Sequence, residues 1–274
     1  MAVSGKHPQE PDRRDPASGC PDPSPSGARE WDGPSYDRIS SPMERLGRDT
    51  LERLTLSGGE TVLDAGCGSG RVTEALLERL PRGRVIAVDA SESMVTEARR
   101  RLSGRADVRQ ADLLDLHLEE PVDAVLSTAT FHWIADHPRL YQGLHAALKP
   151  AGQLVVQCGG RGNVAAVHRA ADLVAAAEPW AHSLRGWGGP WNFTTPGQAA
   201  EWLREAGFRQ VRCWLQAAPV TPPEPHEYLS TIVLGAHLER LEPERRDSFV
   251  DAVMARLGTP AVIDYVRLNI DAVA

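Results

Sequence analysis

A short apolar run that ends in a glycine-rich turn constrains the fold of this chain more than any other feature. Residues 61–65 (TVLDA) have the composition of a buried strand, and Gly66, Gly68 and Gly70 follow it at alternate positions. Apolar residues then recur at helical spacing over residues 71–80. A strand that passes through such a turn into a helix predicts an α/β fold, in which the turn offers backbone N–H groups at the helix N-terminus.

The alternation of strand and helix continues along the chain, which predicts βαβ units and a parallel sheet. Further strands are predicted at residues 84–89, 107–110, 122–127, 153–157, 210–216 and 261–270. Further helices are predicted at residues 91–102, 138–148, 164–177, 195–206, 225–240 and 243–257. The sequence therefore predicts seven strands in one α/β domain.

The first 28 residues differ in composition from the rest of the chain. They are rich in Pro, Ser, Gly and charged residues and show no apolar periodicity, which predicts a disordered tail. Residues 29–274 are predicted to form the folded domain. We expect a helical cap on it, contributed by about residues 29–56, 162–195 and 222–258. A Gly- and Trp-rich loop is expected at residues 180–191 within that cap.

Charge and cysteine content narrow the class of function. The formal net charge is -7 and the pI is about 5.7, which disfavours nucleic acid or an anionic membrane surface as a partner. No run of 18 apolar residues predicts a membrane span, and the N-terminus has no secretory apolar region. The four cysteines form no CxxC pair, so no metal site is expected. We expect a cytoplasmic protein, either a monomer or a homodimer.

Three acidic residues follow predicted strands and suggest a ligand for the glycine turn. Asp89 ends the second strand, 23 residues after Gly66, where it can accept hydrogen bonds from two ribose hydroxyls. Asp64 precedes the glycines, where it would repel a pyrophosphate and suits a ligand with an ammonium group. Asp112 follows the third strand and could accept from an adenine amino group. The spacing G-x-G-x-G also departs from the dinucleotide pattern G-x-G-x-x-G, so S-adenosylmethionine is favoured over NAD.

These segments resemble the motifs of class I S-adenosylmethionine-dependent methyltransferases. The match comprises DAGCGSG at residues 64–70, VDASESM at residues 88–94 and ADL at residues 111–113. The resemblance implies a doubly wound, mostly parallel seven-stranded sheet (Rossmann-like methyltransferase fold) with a helical cap. It implies S-adenosylmethionine as cofactor, S-adenosylhomocysteine as product, and a cofactor site formed by Asp64, Gly66, Gly68, Gly70, Asp89, Ser91, Met94, Asp112 and Leu113. Met94 could equally be plain core packing.

Three other segments are similar to those of trans-aconitate methyltransferases, which make methyl esters of small acids. They are Trp31-Asp32 with Tyr36, residues 130–137 (TFHWIADH), and residues 148–163. The resemblance implies O-methylation of a carboxylate or hydroxyl of a small molecule by in-line transfer. Two alternatives stay open at this point: a catalytically silent adenosylmethionine-binding regulatory protein, and an NAD-dependent oxidoreductase.

Candidate acceptor residues follow from the same segments and from the tryptophan-rich region. His132 could be a general base, a hydrogen-bond donor to an acceptor carboxylate, or a pocket-lining residue. Trp133 is expected to form a pocket wall, and Tyr36 to close over the cofactor or to pack as a staple. Arg185 could clamp an acid group or be a solvated loop residue. Trp187 and Trp191 could line an acceptor pocket or pack the cap helices.

Overall fold

The computed structural model describes residues 29–274 and shows a seven-stranded sheet between layers of helices. The strands lie in the order β3-β2-β1-β4-β5-β7-β6. Only β7 runs antiparallel to its neighbours, β5 and β6. The strands are β1 (Thr61–Ala65), β2 (Arg84–Asp89), β3 (Asp107–Gln110), β4 (Val122–Thr128), β5 (Leu148–Gly159), β6 (Arg209–Ala217) and β7 (Val266–Val273). The prediction for residues 1–28 lies outside the described residues.

The helices connect the strands and form the cap. In chain order they are α1 (Gly33–Ile39), α2 (Ser41–Leu51), α3 (Arg71–Glu78), α4 (Glu92–Leu102), α5 (His137–Ala147), α6 (Ala165–Ala175), α7 (Ala181–Leu184), α8 (Pro196–Glu205), α9 (Pro225–Tyr228), α10 (Gly235–Leu238) and α11 (Pro243–Leu257). A 3₁₀ turn covers Phe131–Trp133, and a π-helical turn, Leu229–Val233, joins α9 to α10. None of the helices within residues 29–274 has the length and apolar character needed to span a membrane.

The central strands of the sheet are buried on both faces, and they are apolar at consecutive positions. Val62 and Leu63 are both fully buried in β1 and belong to cores on opposite faces. One core packs β1 and β4 against α2, α3 and α4, and the other packs them against α5 and α8. This arrangement confirms the predicted doubly wound fold and leaves the carboxyl ends of the parallel strands free to form a site.

The cap has a separate apolar core. It is formed mainly by α6, by α11 and by the segment from α9 to α10. Ile263 and Tyr265, which precede β7, are buried in this same core. The cap core also contains Val164 and Val233, which line the cavity described below. The cap therefore supplies one wall of the site.

Three predicted elements differ from the observed ones. The fifth strand covers Leu148–Gly159 instead of residues 153–157. Residues 225–240 do not form one helix: the π-helical turn interrupts it, and a new short helix starts at Gly235. The last strand begins at Val266 instead of residue 261. Residues 261–265 are apolar because they pack into the cap, with only a single bridge from Ile263 to Val220. The apolar pattern that predicted a strand here therefore reflects packing of these residues into the cap core.

Candidate functional site: a cavity at the carboxyl edge of the sheet

A cavity of about 350 Å³ lies at the edge where the parallel strands end. It begins at the switch point of the sheet, where β1 has β2 on one side and β4 on the other. Segments that follow β1, β2, β3 and β4 line it. The cap and the stretch from Arg29 through α1, which we call the N-terminal segment, close it. We call the part near β2 and β3 the cofactor end, and the part near β5, β7 and the cap the acceptor end.

The glycine turn after β1 forms the floor of the cofactor end. The N–H groups of Gly66 and Cys67 both donate to the carbonyl of Val88, at 2.8 and 2.9 Å. Gly66 has φ +86°, and a Cβ there would lie 2.0 Å from Oγ1 of Thr130. Gly68 has φ +53°, and its α-carbon faces open space with nothing within 4 Å of a Cβ. The two glycines thus serve different purposes, close packing at Gly66 and room in the cavity at Gly68.

Asp89 lines the cavity with its carboxylate held at both oxygens. The N–H of Gly68 donates to Oδ2 at 2.9 Å, and the N–H of Ser91 donates to Oδ1 at 3.0 Å. Burial raises the pKa of this carboxyl, while these backbone hydrogen bonds oppose that rise. Because a carboxylate oxygen accepts about two hydrogen bonds, each one keeps a lone pair for a ligand.

Asp64 lies beneath the cavity instead of lining it. Its side chain is fully buried, Oδ2 accepts from Thr73 at 2.7 Å, and Oδ1 has no partner within the described residues. Burial raises the pKa of Asp64 to about 7, and the nearby charge of Asp89 adds to the rise. Gly70 is also outside the lining: it is the N-cap of α3, with φ +84°, and packs against Ala98 of α4.

The remaining predicted cofactor residues line the cavity beside Asp89. Ser91 is the N-cap of α4 and accepts from the N–H of Met94 at 3.3 Å. Met94 and Leu113 are buried. Asp112 accepts from the N–H of Leu114 at 2.9 Å, which fixes the turn after β3. All four reach the cavity surface, so the residues of the three motifs converge there.

The N-terminal segment crosses the cavity and places Tyr36 in its wall. Glu30 anchors this segment by accepting from the hydroxyl of Ser91 at 2.8 Å and from the N–H of Ser93 at 2.9 Å. Asp37 anchors it again through ion pairs with Arg71 and Arg101 on the domain below. The sequence reasoning did not identify either anchor, since both resemble ordinary surface acids.

Burial raises the pKa of the Tyr36 phenol to about 12, and the charges of Arg267 and Asp89 act on it in opposite directions. The phenol therefore interacts electrostatically with charged groups at both ends of the cavity, and it stays protonated at neutral pH. Its ring packs edge-on against Trp31, with centroids 5.4 Å apart.

His132 stands at the acceptor end with 7% of its surface exposed. The N–H of Gly159 donates to its Nδ1 at 3.2 Å, so the ring proton is assigned to Nε2. Burial holds the pKa of His132 well below its usual range, and the positive charge of Arg267 lowers it further. The ring is thus neutral, with Nε2–H as a hydrogen-bond donor.

Aromatic rings form the wall next to His132. Phe193 stacks on the His132 ring with centroids 5.7 Å apart, and Trp191 lies nearly parallel to Phe193, with an interplanar angle of 10°. Trp133 contacts Trp191, with ring centroids 6.0 Å apart. Trp133, Trp191 and Phe193 line the cavity and remain only partly buried. They leave apolar ring surface inside the cavity for a ligand to cover.

Arg267 is the buried cation of the acceptor end. It lines the cavity, is 2% exposed, and donates from Nε to Gln157 at 3.3 Å. Burial lowers the pKa of its guanidinium, and within residues 29–274 no Asp or Glu forms an ion pair with it. It sits in β7 opposite Gly159 of β5, because β7 is antiparallel and starts at this edge. Sequence reasoning missed this residue, although a charge inside an apolar strand was a usable signal.

Comparison with known proteins identifies the family. Residues 62–152 match the family model described as a methyltransferase domain. The chain is 34% identical over 192 residues to a trans-aconitate 2-methyltransferase of Methylobacterium nodulans, covering 70% of this chain and 69% of that protein. A trans-aconitate 2-methyltransferase of Azoarcus sp. is 34% identical over 187 residues, or 67% and 71% of the two chains. The chain belongs to the class I S-adenosylmethionine-dependent methyltransferases.

A solved structure supports the same fold. A phosphoethanolamine N-methyltransferase 2 of Haemonchus contortus, in complex with S-adenosylhomocysteine, has a TM-score of 0.58 and 19% identity, covering 88% of this chain and 56% of that one. The protein is therefore a methyltransferase enzyme with S-adenosylmethionine as its cofactor. The oxidoreductase and the silent regulatory hypotheses lose their support.

The cofactor end fits S-adenosylmethionine by its own geometry. Open space above Gly68 leaves room against the backbone, and Asp89 has one acceptor position left on each oxygen. The buried carboxyls of Asp64 and Asp89 give this end a negative character that suits a cationic sulfonium. Within residues 29–274 no cluster of three or more His, Cys, Asp or Glu could hold a metal ion.

The predicted acceptor residues fall into two groups. His132, Trp133 and Trp191 line the cavity of the methyltransferase. Arg185 does not: it is exposed, and its guanidinium donates to the carbonyl of Ala176 at 3.3 Å. Trp187 lies behind Trp191, with ring centroids 5.9 Å apart, in contact with the cap core. Both residues stabilise the cap instead of reaching the cavity surface.

Proposed function

We propose that this methyltransferase O-methylates the carboxylate of a small-molecule acid. The observation that carries the proposal is Arg267, a fully buried cation in the cavity wall with no acidic partner in the described chain. An isolated buried charge is costly, and an ionised carboxylate in the cavity would supply the missing counter-ion. The relatives named trans-aconitate 2-methyltransferases are consistent with an acid as acceptor.

His132 supports a carboxylate over a hydroxyl acceptor. A carboxylic acid ordinarily has a pKa of about 4, so it is ionised at neutral pH and needs no base. A hydroxyl acceptor would need one, but Nε2 of His132 already carries the ring proton while Nδ1 accepts from Gly159. We therefore assign His132 as a donor that orients the acceptor carboxylate, together with Arg267.

We propose that the motif residues beside the cavity have the cofactor-binding roles that the resemblance implies. Asp89 would accept from the ribose hydroxyls, Ser91 and Met94 would flank the adenine, and Asp112 with the Leu113 backbone would bind its edge. The loop from Asp64 to Gly70, with Gly66 and Gly68 at its surface, would hold the methionine part. Tyr36 would cover the cofactor from the N-terminal segment.

Bound S-adenosylmethionine supplies an electrophilic methyl group: a carboxylate oxygen forms the new O–C bond while the S–C bond breaks, its electron pair stays on sulfur, and no proton moves. The protein aligns and encloses the two molecules. Arg267 and His132 hold the acid at one end, Asp89 holds the cofactor at the other, and Trp31 and Tyr36 exclude water. Such alignment can supply roughly 7–11 kcal/mol of the barrier reduction.

The chemistry of the product tests the proposal. Methyl esters release methanol in alkali, whereas methyl ethers and methylamines do not. We expect alkali-labile label when the enzyme is incubated with methyl-labelled cofactor and a mixture of small carboxylic acids. Arg267→Gln should lower kcat/KM for the acid roughly 100-fold, since truncating a buried charge contact costs about 2–5 kcal/mol. The exposed Arg212→Gln on β6 is the control. Alkali-stable label alone, with no effect of Arg267→Gln, would refute carboxylate methylation.

The pH profile tests the role of His132. Because the pKa of His132 lies well below the usual 6.5, its ring is already neutral at pH 6.5. With a carboxylate acceptor we therefore expect no change in activity that follows a titration near pH 6.5. His132→Phe should raise KM for the acid while the affinity for S-adenosylhomocysteine stays within about twofold. An acid limb near pH 6.5 that is lost in the variant would show a general base instead.

A further inference from the structure

We infer that the acceptor is a monocarboxylic acid with a flat apolar body, and not a polycarboxylate. The inference rests on the proposed function and goes further, because it uses the charge balance and the wall of the acceptor end. Its basis is one buried cation without an acidic counter-ion among the described residues, beside a wall of partly exposed aromatic rings.

The cations of the cavity can be counted within residues 29–274. Arg29 and Arg267 are the basic side chains of Arg or Lys that line it. Nε of Arg29 pairs with Glu239 at 2.6 Å, and its guanidinium lies over the Trp31 ring, 3.9 Å from the centroid. The Glu239 carboxylate balances the charge of Arg29, although Nη1 of Arg29 is buried without a hydrogen-bond partner within residues 29–274. Arg267 is therefore the cavity cation that has no acidic counter-ion among these residues.

The other titratable groups of the cavity add no positive charge. His132 and His168 line it, and burial lowers the pKa of both rings. Asp89 and Asp112 line the cofactor end and would repel additional carboxylates. A second or third acceptor carboxylate would therefore lose its hydration without gaining a counter-ion, which is unfavourable in a buried site. Nη1 of Arg29 and Nε2 of His168, which have no partner among the described residues, would offer it hydrogen bonds alone.

Much of the remaining acceptor wall is aromatic or aliphatic, beside the polar side chains of Asn163 and His168. Trp191, Phe193 and His132 present roughly parallel rings, with interplanar angles of 10° and 23° along the series. Met43 and Ile232 line the cavity as well and are only partly buried. A flat apolar body would cover this surface and stack on the rings, which contributes about 0.5–1.5 kcal/mol per aromatic pair beyond area burial.

Binding to the full-length protein saturated with S-adenosylhomocysteine tests the inference. Calorimetry would compare trans-cinnamate, which has one carboxylate on a flat apolar body, with trans-aconitate, which has three carboxylates, and with the neutral isostere cinnamamide. We expect cinnamate to bind about tenfold or more tightly than either of the others.

The outcomes separate the inference from the proposed function. Equal or tighter binding of trans-aconitate overturns the monocarboxylate inference and leaves carboxylate methylation standing. Equal binding of cinnamamide and cinnamate removes the evidence for a carboxylate subsite and overturns both. Absence of binding by all three probes overturns the inference.

Variants of the aromatic wall give a second test. Trp191→Ala should raise KM for cinnamate about tenfold, and Trp191→Phe should restore most of the loss, while the affinity for S-adenosylhomocysteine stays unchanged in both. Trp214→Ala is the matched control, since that ring lies on β6 against Arg212, 4.3 Å from its centroid to the guanidinium. Phe193→Leu serves as an independent variant if Trp191→Ala does not fold. An unchanged KM in both Trp191→Ala and Phe193→Leu contradicts the inference.

Discussion

The two ends of the cavity recognise their ligands in different ways. The cofactor end is built from backbone groups and carboxylates of one continuous stretch, residues 64–113, and Asp89 is fixed there by two N–H donors. The acceptor end draws Met43, His132, Trp191 and Arg267 from segments scattered over the chain. Local motifs therefore carry the chemistry that these methyltransferases share, whereas the choice of acceptor depends on tertiary packing.

The two ends also differ in charge. Burial raises the carboxyl pKa values of Asp64 and Asp89 at one end and lowers the guanidinium pKa of Arg267 at the other. Burial thus disfavours the charged form of the group at each end, and a ligand of opposite charge would stabilise that form. A cationic sulfonium and an anionic acid would each complete one end. The following experiments either separate the two ends or show that they act as one unit.

The largest effect is expected at the cofactor end. Asp89→Ala removes the acceptor of two backbone N–H groups and the proposed acceptor of two ribose hydrogen bonds, and hydrogen bonds to charged groups contribute about 1.5–3 kcal/mol each. Calorimetry should show S-adenosylhomocysteine affinity reduced roughly 100-fold or more. Asp107→Ala, at an exposed position of β3, is the control. An affinity within twofold of wild type would remove Asp89 from the cofactor site.

The two cavity glycines should separate stability from binding. Gly66→Ala places a Cβ 2.0 Å from Thr130 and forces a left-handed backbone, so unfolding free energy should fall by about 2–4 kcal/mol. Gly68→Ala meets no protein atom within 4 Å, so it should cost about 1 kcal/mol of stability while lowering cofactor affinity about tenfold. Urea unfolding and calorimetry measure the two quantities. The reverse pattern would contradict the placement of Gly68 at the ligand surface.

Arg267 at the acceptor end is expected to lower the stability of the protein when no acceptor is bound. Replacing a buried charge without an acidic partner by an apolar side chain is often neutral or stabilising, so Arg267→Met should raise the unfolding free energy by about 1–3 kcal/mol in the absence of acceptor. Urea unfolding is the measurement, with the exposed Arg212→Met as reference. A large loss of stability would show that Arg267 has a structural role that does not depend on an acceptor.

Asp64 should make the stability of the protein depend on pH. Its native pKa of about 7 exceeds the usual 3.8, so between those values the native state binds more protons than the unfolded state. Stability should therefore fall as pH rises from about 4 to about 7, by up to about 1.4 kcal/mol per pH unit, and level off above. In urea unfolding, Asp64→Asn should reduce the dependence of the unfolding free energy on pH, and Asp107→Asn should leave it unchanged. Equal slopes in wild type and Asp64→Asn would contradict the raised pKa.

Sequence patterns predicted the sheet, and most residues of the three motifs line one cavity at its edge. Strand β1, the glycine turn and Asp89 lie within residues 61–89, and each could be recognised because hydrogen bonding between neighbouring segments follows from their order along the chain. Position in the motif did not show that Asp64 lies beneath the cavity, because burial depends on Thr73 and the layers packed above it.

The acceptor end was predicted only in part. His132, Trp133 and Trp191 were identified, whereas Arg185 proved exposed and Arg267 was missed. The apolar residues around Arg267 hinted at its burial, but its place at the cavity depends on the pairing of β7 with β5. The π-helical turn that interrupts the helix predicted at residues 225–240 could not be predicted either, since apolar periodicity does not reveal such a turn.

By itself the sequence determined the order of strands and helices, the glycine turn and the family, because those features depend on local patterns that the backbone follows directly. Only the tertiary structure decided which charges are buried and which rings stay uncovered. Those properties arise where segments distant in the chain meet, and the free energy of a charge depends on what surrounds it after folding.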